Sequence, residues 1–143
     1  MTRVVVDASA LVALAFNEPK GEEIARRLDG MAVYAPALLK FELANAAWKK
    51  VRRQPDCARS ILGALTHALD PRAGITWMEV DHADAVLVSL ATGLSAYDAS
   101  YLWLAGILGA QLVTLDSRLA EAGTRHLLRP ESRRVKQVSS GAP

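Results

Sequence analysis

The sequence predicts an α/β protein, a three-layer α/β/α sandwich around a mostly parallel central sheet. Short apolar runs typical of buried strands alternate along the 143 residues with longer segments of helical periodicity. Strands separated by helices in this order favour parallel pairing. Two of the strands lead directly into an aspartate, and the carboxyl ends of parallel strands form the sheet edge where α/β proteins bind ligands.

Four strands are predicted from the apolar runs, at 3–6, 32–34, 75–80 and 111–115. The first is a β-branched run that ends at Asp7, and the last ends at Asp116. Residues 99–115 carry no charge, but the stretch is shorter than the ~20 residues of a membrane-spanning helix. We therefore interpret it as a buried helix followed by a buried strand, and expect no membrane association.

Seven helices are predicted between and after the strands, at 9–16, 22–28, 37–53, 56–69, 82–92, 96–108 and 117–122. Pro36 stands where the third helix can begin, and Asp56 and Asp81 are candidate caps for the fourth and fifth. Gly93 and Gly109 follow the fifth and sixth helices, as is typical of helix ends.

Composition bounds the class of protein. Hydrophobic residues make up 51% of the chain, enough for a core, and a net charge of +2 is too weak to indicate nucleic-acid binding by itself. The single cysteine, Cys57, excludes an internal disulfide and a cysteine-cluster metal site, and fits a reducing, cytoplasmic location. No signal peptide is evident. We expect one domain at 1–128 and a polar, basic C-terminal tail at 129–143.

Four of the 15 acidic residues lie in apolar surroundings: Asp7, Glu42, Asp98 and Asp116. Two end strands, Asp98 lies at the start of an apolar helix, and Glu42 lies between Phe41 and Leu43 in another. Clustered carboxylates raise one another's pKa unless a cation is present. Oxygen ligands without His or Cys suit Mg²⁺ or Mn²⁺. The pattern therefore predicts an acidic site for a divalent cation.

Each acid also has a purely structural interpretation. Asp7 and Asp116 can cap the helices that follow them, and Asp98 can be a favourable charge at a helix N-terminus. Glu42 can face solvent or pair one turn away, although no Lys or Arg stands at 38, 39, 45 or 46. A purely structural interpretation is reasonable for any one of these acids, but less reasonable for all four at once.

Four stretches around these acids resemble a known family: VVVDASALVALAFNEP at 4–19, YAPALLKFELANAAWK at 34–49, SAYDASYLWLA at 95–105 and LVTLDSRLAEA at 112–122. In order and spacing they are similar to the PIN domain, and more closely to VapC-type toxin ribonucleases of bacterial toxin–antitoxin pairs. The resemblance extends to about residue 128 and adds nothing over 50–75. It implies a PIN-like fold and metal-dependent hydrolysis of RNA phosphodiester bonds.

The resemblance also implies roles for the acids. Asp7 and Asp98 would be the main Mg²⁺ ligands, with Mn²⁺ able to substitute, and Asp116 would hold the ion through water or bind a second one. Glu42 would ligate the ion or act as base on the attacking water. Three polar neighbours complete the site: Ser9, Asn45 and Thr114. The two hydroxyls would hydrogen-bond carboxylates or water, and the amide would share a helix face with the glutamate.

Partners follow from the same resemblance: an RNA substrate, a small antitoxin protein whose segment lies over the acidic pocket, and a homodimer or a hetero-oligomer with the antitoxin. Two basic stretches can bind RNA phosphates, Lys49, Lys50, Arg52 and Arg53 in one, and Arg125, Arg129, Arg133, Arg134 and Lys136 in the other. Each also has a structural interpretation: the first more readily as cations favoured at a helix C-terminus, and the second as a solvated tail. Lys40 and Arg118 lie near the acids in sequence, but no pattern turns them inward.

Two other functions stay open at this level. The first is a non-catalytic PIN-like RNA-binding module, against which the four intact acids argue. The second is an acidic-pocket phosphohydrolase, or a receiver, of another α/β fold. A receiver needs paired acids at its first strand and a late lysine, and an aspartate-nucleophile phosphatase needs Asp-x-Asp, whereas residue 9 is Ser9.

Overall fold

A four-stranded parallel sheet forms the centre of the computed structural model, which describes residues 1–127. Its order is β3-β2-β1-β4, with β1 at Arg3–Val6, β2 at Ala32–Pro36, β3 at Ile75–Met78 and β4 at Gln111–Val113. Val5 of β1 stands opposite Tyr34 on one side and Leu112 on the other. All three pairings are parallel, so the predicted sheet is confirmed. The tail predicted at 129–143 lies outside the described residues.

Seven helices flank the sheet within residues 1–127: α1 (Ala8–Ala15), α2 (Gly21–Leu28), α3 (Leu39–Arg53), α4 (Ala58–Leu69), α5 (His82–Thr92), α6 (Ala96–Leu108) and α7 (Ser117–Leu127). Helix α1 contacts α2, α3 and α4, whereas α6 contacts α5, α7 and three of the strands. These two groups of helices and the sheet make the predicted three-layer sandwich. None of the described helices has the length and apolar character needed to cross a membrane.

The core lies between the sheet and the apolar sides of α3 and α6. Val5 and Val6 of the central strand are 0% exposed, because β1 is hydrogen-bonded on both edges and covered on both faces. Tyr101, Leu102 and Leu104 of α6 are fully buried, as expected for a nearly uncharged helix. The stretch 99–115 is therefore a buried helix followed by a strand, as predicted.

The junction of β2 and α3 differs from the prediction. Strand β2 runs through Pro36, which pairs in register with Met78, and α3 begins only at Leu39. Proline has no N–H to donate to a neighbouring strand, so the hydrogen bond to β3 at this point has to come from the next residue. The N–H of Ala37 makes that bond to the carbonyl oxygen of Met78 over 2.8 Å. Pro36 thus ends a strand instead of starting a helix.

Three further boundaries are corrected. Strands β3 and β4 stop at Met78 and Val113, earlier than predicted, while α7 continues to Leu127 instead of ending at residue 122. Asp56 is not a helix cap: it lies in a short 3-10 turn, and α4 begins without a side-chain cap. Asp81 does cap α5, accepting a hydrogen bond of 2.9 Å from the Asp84 N–H.

Candidate active site

Asp7 is a buried carboxylate held by donors from both ends of the domain. It follows β1, is 4% exposed, and caps α1 by accepting a hydrogen bond of 3.0 Å from the Ala10 N–H. The hydroxyls of Ser9 and Thr114 donate to its two oxygens over 2.8 and 2.6 Å. Burial raises the pKa of the Asp7 carboxyl, these bonds partly offset that rise, and the charge of Asp116 adds to it.

The two hydroxyls also tie β4 to the site. The Ser9 hydroxyl accepts from the Leu115 N–H at 2.9 Å, and the Thr114 hydroxyl accepts from the Asp116 N–H at 3.0 Å. Each therefore donates to Asp7 while fixing the backbone that leads to Asp116. Ser9 and Thr114 thus hydrogen-bond a carboxylate directly, while their role toward a bound ion stays a prediction.

Asp116 and Asp98 lie at the N-terminal ends of α7 and α6. Asp116 is exposed and caps α7, with its Oδ1 accepting from the N–H groups of Arg118 and Leu119. Asp98 is half-buried in the first turn of α6, which Ser95 caps. Burial raises the pKa of Asp98, the charge of Asp116 raises it further, and Arg118 acts in the opposite direction.

Glu42 lies in the first turn of α3, and its Oε1 accepts a hydrogen bond of 2.7 Å from the hydroxyl of Tyr101. Burial raises the pKa of Glu42, the tyrosine bond partly offsets this, and the charges of Asp98 and Asp7 add to the rise. Sequence reasoning missed Tyr101. Its position three residues after Asp98, on the same face of α6, was the available signal.

The four predicted acids influence one another's pKa: Asp116 acts on Asp7 and Asp98, and both of these act on Glu42. Each lies at the cap or in the first turn of a helix, so four helix N-termini share the acidic edge. The positive ends of helix dipoles favour carboxylates there, and they also favour a bound anion. The capping interpretation holds for Asp7 and Asp116, yet it does not exclude a joint site. Burial is the main cause of the raised pKa of Asp7, Glu42 and Asp98, and the charge of at least one other acid of the set adds to each rise.

The donor set fits a hard divalent cation. The side chains that meet at this edge offer carboxylate and hydroxyl oxygens, and Cys57 is exposed in the turn before α4. Over the described residues, no three acidic, histidine or cysteine side chains stand close enough together to cage an ion as they are. Mg²⁺ keeps several of its waters and binds proteins through one or two carboxylates, so it suits such an open arrangement.

Other predicted residues lie farther from the acids. Asn45 is exposed one turn along α3 from Glu42. Lys50 is paired with Glu18 over 2.8 Å, and Arg52 stacks on the Trp48 ring at 4.8 Å. Lys40 and Arg118, which are near the acids in sequence, differ in their contacts. Lys40 lies over the Trp77 ring, whereas Arg118 donates to the Gly93 carbonyl oxygen and its charge acts to lower the pKa of Asp98.

A known family matches the part of the chain that carries the four acids. The family described as the PIN domain matches residues 4–124, a span that includes all four acids. Ribonuclease VapC3 of Pyrobaculum aerophilum is 35% identical over 123 residues, which cover 83% of this chain and 93% of that protein. Ribonuclease VapC9 of Mycobacterium tuberculosis is 34% identical over 127 residues, covering 84% and 91%.

The fold has a solved counterpart. The crystal structure of PAE2754 from Pyrobaculum aerophilum matches with a TM-score of 0.67 and 28% sequence identity. The match covers 85% of this chain and 84% of the other. The similarity therefore extends over most of both chains.

Proposed function

This chain belongs to the PIN domain family, among the VapC-type ribonucleases, and from that membership we propose a Mg²⁺-dependent endoribonuclease that is the toxin of a toxin–antitoxin pair. The observation that supports the proposal is the position of Asp7, Glu42, Asp98 and Asp116 at four helix N-termini, where the acids influence one another's pKa. Such an edge attracts a divalent cation through its carboxylates and an RNA phosphate through its helix ends.

A Mg²⁺ ion bound at this edge would neutralise the scissile phosphate and lower the pKa of a bound water. Asp7, Asp98 and Asp116 would hold it. Asp7 is suited to this because three donors fix its orientation before any ion arrives. A carboxylate that is already oriented loses little conformational freedom when it binds.

Glu42 is suited to take the proton of the attacking water. The raised pKa of its carboxyl makes it a better proton acceptor near neutral pH than an ordinary glutamate. The Tyr101 hydroxyl occupies Oε1, so Oε2 is the oxygen left for that proton. Asp7 and Glu42 thus have different hydrogen-bond partners and can serve different catalytic roles. This favours a nuclease over a non-catalytic RNA-binding module.

Partnership with an antitoxin is part of the proposal. The relatives are named ribonucleases of the VapC type, and we infer a small antitoxin whose segment covers the acidic edge. An arginine of such a segment would form a bidentate ion pair with the carboxylates where the cation binds. We further propose a homodimer or a hetero-oligomer with the antitoxin, acting on RNA in the cytoplasm.

The test is RNA cleavage by purified protein freed of inhibitor. Total bacterial RNA would be incubated with Mg²⁺, with Mn²⁺ or with EDTA, using wild type, Asp7→Asn and Asp98→Asn. Asp56→Asn is the matched control, because Asp56 is an exposed acid in the turn before α4. We expect metal-dependent cuts in wild type and control that both site variants lose. A folded, inhibitor-free wild type that cuts with neither metal would favour the non-catalytic module.

A further inference from the structure

Arg118 lies between the acidic edge and a neighbouring groove. Its backbone N–H donates to Oδ1 of Asp116 over 2.9 Å. Its guanidinium Nη2 donates to the carbonyl oxygen of Gly93 over 3.2 Å. Gly93 ends α5 in the left-handed conformation, two residues before the Ser95 cap of α6. The side chain therefore spans from the turn that carries Asp116 to the loop that precedes Asp98.

The charge of Arg118 is not taken up by a salt bridge in the described part of the chain. The ion pairs there join Lys50 to Glu18, Arg72 to Asp70, and Arg125 to Glu121. A guanidinium has five N–H donors in a planar fork, and the Gly93 carbonyl accepts only from Nη2. Arg118 thus offers an oriented cation beside a cluster of carboxylates, with donors left for another acceptor.

A groove of about 330 Å³ opens beside Arg118, between the end of α5 and α7. That volume is at the lower end of the range for pockets that bind small molecules, ~300–1,000 Å³. Its lining is mixed, with Thr92, Leu94, Arg118, Glu121, Ala122 and Arg125 among the residues. The carboxylate of Glu121 is paired with Arg125, so it does not cancel the charge of Arg118.

We propose that this groove binds the ribonucleotide next to the cleaved bond, with the Arg118 guanidinium holding its phosphate. The inference rests on the proposed ribonuclease function. A planar guanidinium can make two parallel hydrogen bonds to phosphate oxygens, and the apolar part of the lining can contact the sugar or base. The backbone of Arg118 is bonded to Asp116 and its guanidinium to the loop before Asp98, so RNA bound in the groove would pass close to both acids.

The basic stretch on α3 is a poorer candidate for this contact. Lys49 lies seven residues beyond Glu42, which is roughly 10 Å farther along the helix axis. Lys50 beside it is already paired with Glu18 over 2.8 Å. A phosphate held by this stretch would therefore belong to a nucleotide farther from the acids.

The proposal is tested by RNA binding to Arg118 variants. A fluorescein-labelled, mixed-sequence single-stranded RNA of roughly ten nucleotides, within the range of known binding-site sizes, is the probe, and anisotropy is measured against salt with EDTA present. We expect Arg118→Ala to weaken binding about tenfold and to reduce the salt slope by about one. Arg118→Lys should recover part of the loss, because it keeps the charge and loses the fork.

Two comparisons decide the outcome. Arg59→Ala removes an exposed arginine from α4, in the other group of helices, and should leave binding unchanged. The double variant Lys49→Ala/Arg53→Ala tests whether the basic stretch on α3 makes the phosphate contact, and it should weaken RNA binding less than Arg118→Ala does. The proposal is overturned if Arg118→Ala binds like wild type, or if Arg59→Ala weakens binding equally. Cleavage by wild type is assayed in parallel. Arg118-dependent binding without any cleavage would refute the ribonuclease, and with it a subsite next to a cleaved bond, and would show RNA binding by Arg118 alone.

Discussion

The buried hydroxyl of Tyr101 in α6 donates a hydrogen bond of 2.7 Å to Oε1 of Glu42, 59 residues earlier in α3. This bond joins the two groups of helices at the acidic edge. It leaves Glu42 with one oxygen fixed and the other available. Burial and the neighbouring carboxylate raise the pKa of the Tyr101 hydroxyl, so the tyrosine stays protonated and remains a donor at any pH the protein meets.

Tyr101→Phe removes that donor and keeps the ring in its packing. A hydrogen bond to a charged group contributes about 1.5–3 kcal/mol, so we expect kcat for RNA cleavage to fall roughly tenfold or more. KM should change little, since Tyr101 is 1% exposed and does not reach solvent. Steady-state kinetics on a defined cleaved RNA would measure both.

A double-mutant cycle with Glu42→Gln separates orientation from packing. If the hydroxyl acts through Glu42, Tyr101→Phe has little further effect once the carboxylate is gone. Tyr97→Phe is the matched control, because Tyr97 lies one turn earlier on α6 and is 70% exposed. An equal loss from Tyr101→Phe in both backgrounds would contradict the orienting role.

Neutralising Glu42 should stabilise the metal-free fold near neutral pH. The pKa of Glu42 is raised on folding, so the folded state binds its proton more tightly than the unfolded state does. Stability is then greatest below the ordinary carboxyl pKa and falls as pH rises through the raised value. Glu42→Gln removes this loss, and Gln can still accept from the tyrosine.

The expected measurement is Tm in EDTA over a pH series. Glu42→Gln should melt a few degrees above wild type near neutral pH, where ~1 kcal/mol shifts Tm by about 2–8 °C. The difference should shrink toward pH 4, where wild type becomes protonated. Glu79→Gln, at an exposed residue after β3, is the comparison. A pH-independent difference would argue against a buried-charge effect.

Mg²⁺ should raise the Tm of wild type, independently of any activity. A ligand at a hundred times its Kd stabilises a fold by about 2.7 kcal/mol. Because protons compete for the carboxylates, the shift should diminish on acidification. Asp7→Asn and Asp116→Asn should reduce it strongly, whereas Asp56→Asn should not. Calorimetric titration gives the affinity directly. Equal Mg²⁺-induced Tm shifts in all four proteins would show that the ion does not bind at the acidic edge.

Gly21→Ala should destabilise the packing of α2 on α1. A Cβ at residue 21 would lie 2.5 Å from the carbonyl oxygen of Ala13, which is backbone and cannot rotate away. Such overpacking costs about 1–3 kcal/mol. Gly63→Ala is the matched substitution within α4, where a Cβ meets nothing within 4 Å. It should instead stabilise by about 0.5–1 kcal/mol, and denaturant unfolding of both variants would show opposite signs.

Much of this fold was predictable because its strands and helices differ clearly in hydrophobic pattern. The strands lead into Asp7 and Asp116, and that alone placed both acids at one edge of a parallel sheet. The resemblance to VapC-type PIN ribonucleases, drawn from the four acidic stretches, is confirmed by the matched family and relatives. The ends of β2 at Pro36 and of β4 at Val113 could not be predicted. A strand ends where its neighbouring strand offers no further residue to pair with, and the sequence of one strand does not show that.

Two side chains at the site, Tyr101 and Arg118, were given no role from the sequence, for different reasons. An aromatic residue in an apolar helix is typical of core, and Tyr101 is core as well as donor to Glu42. Arg118 is exposed, and its direction is set by a carbonyl 25 residues away at Gly93. No local pattern encodes such a bond, because it exists only once α5 and α7 have come together.

The central place of β1 in the sheet has a consequence for how the protein is made. The hydroxyl of Thr114 that orients Asp7 lies 107 residues later in the chain, next to the strand that completes the pairing of β1. Contacts of such long sequence separation form late in folding, since the entropy of closing the loop must be offset by other interactions first. A chain still growing on the ribosome therefore carries β1 with a vacant edge and Asp7 without Thr114. Synthesis itself delays the assembly of the acidic edge until β4 has emerged.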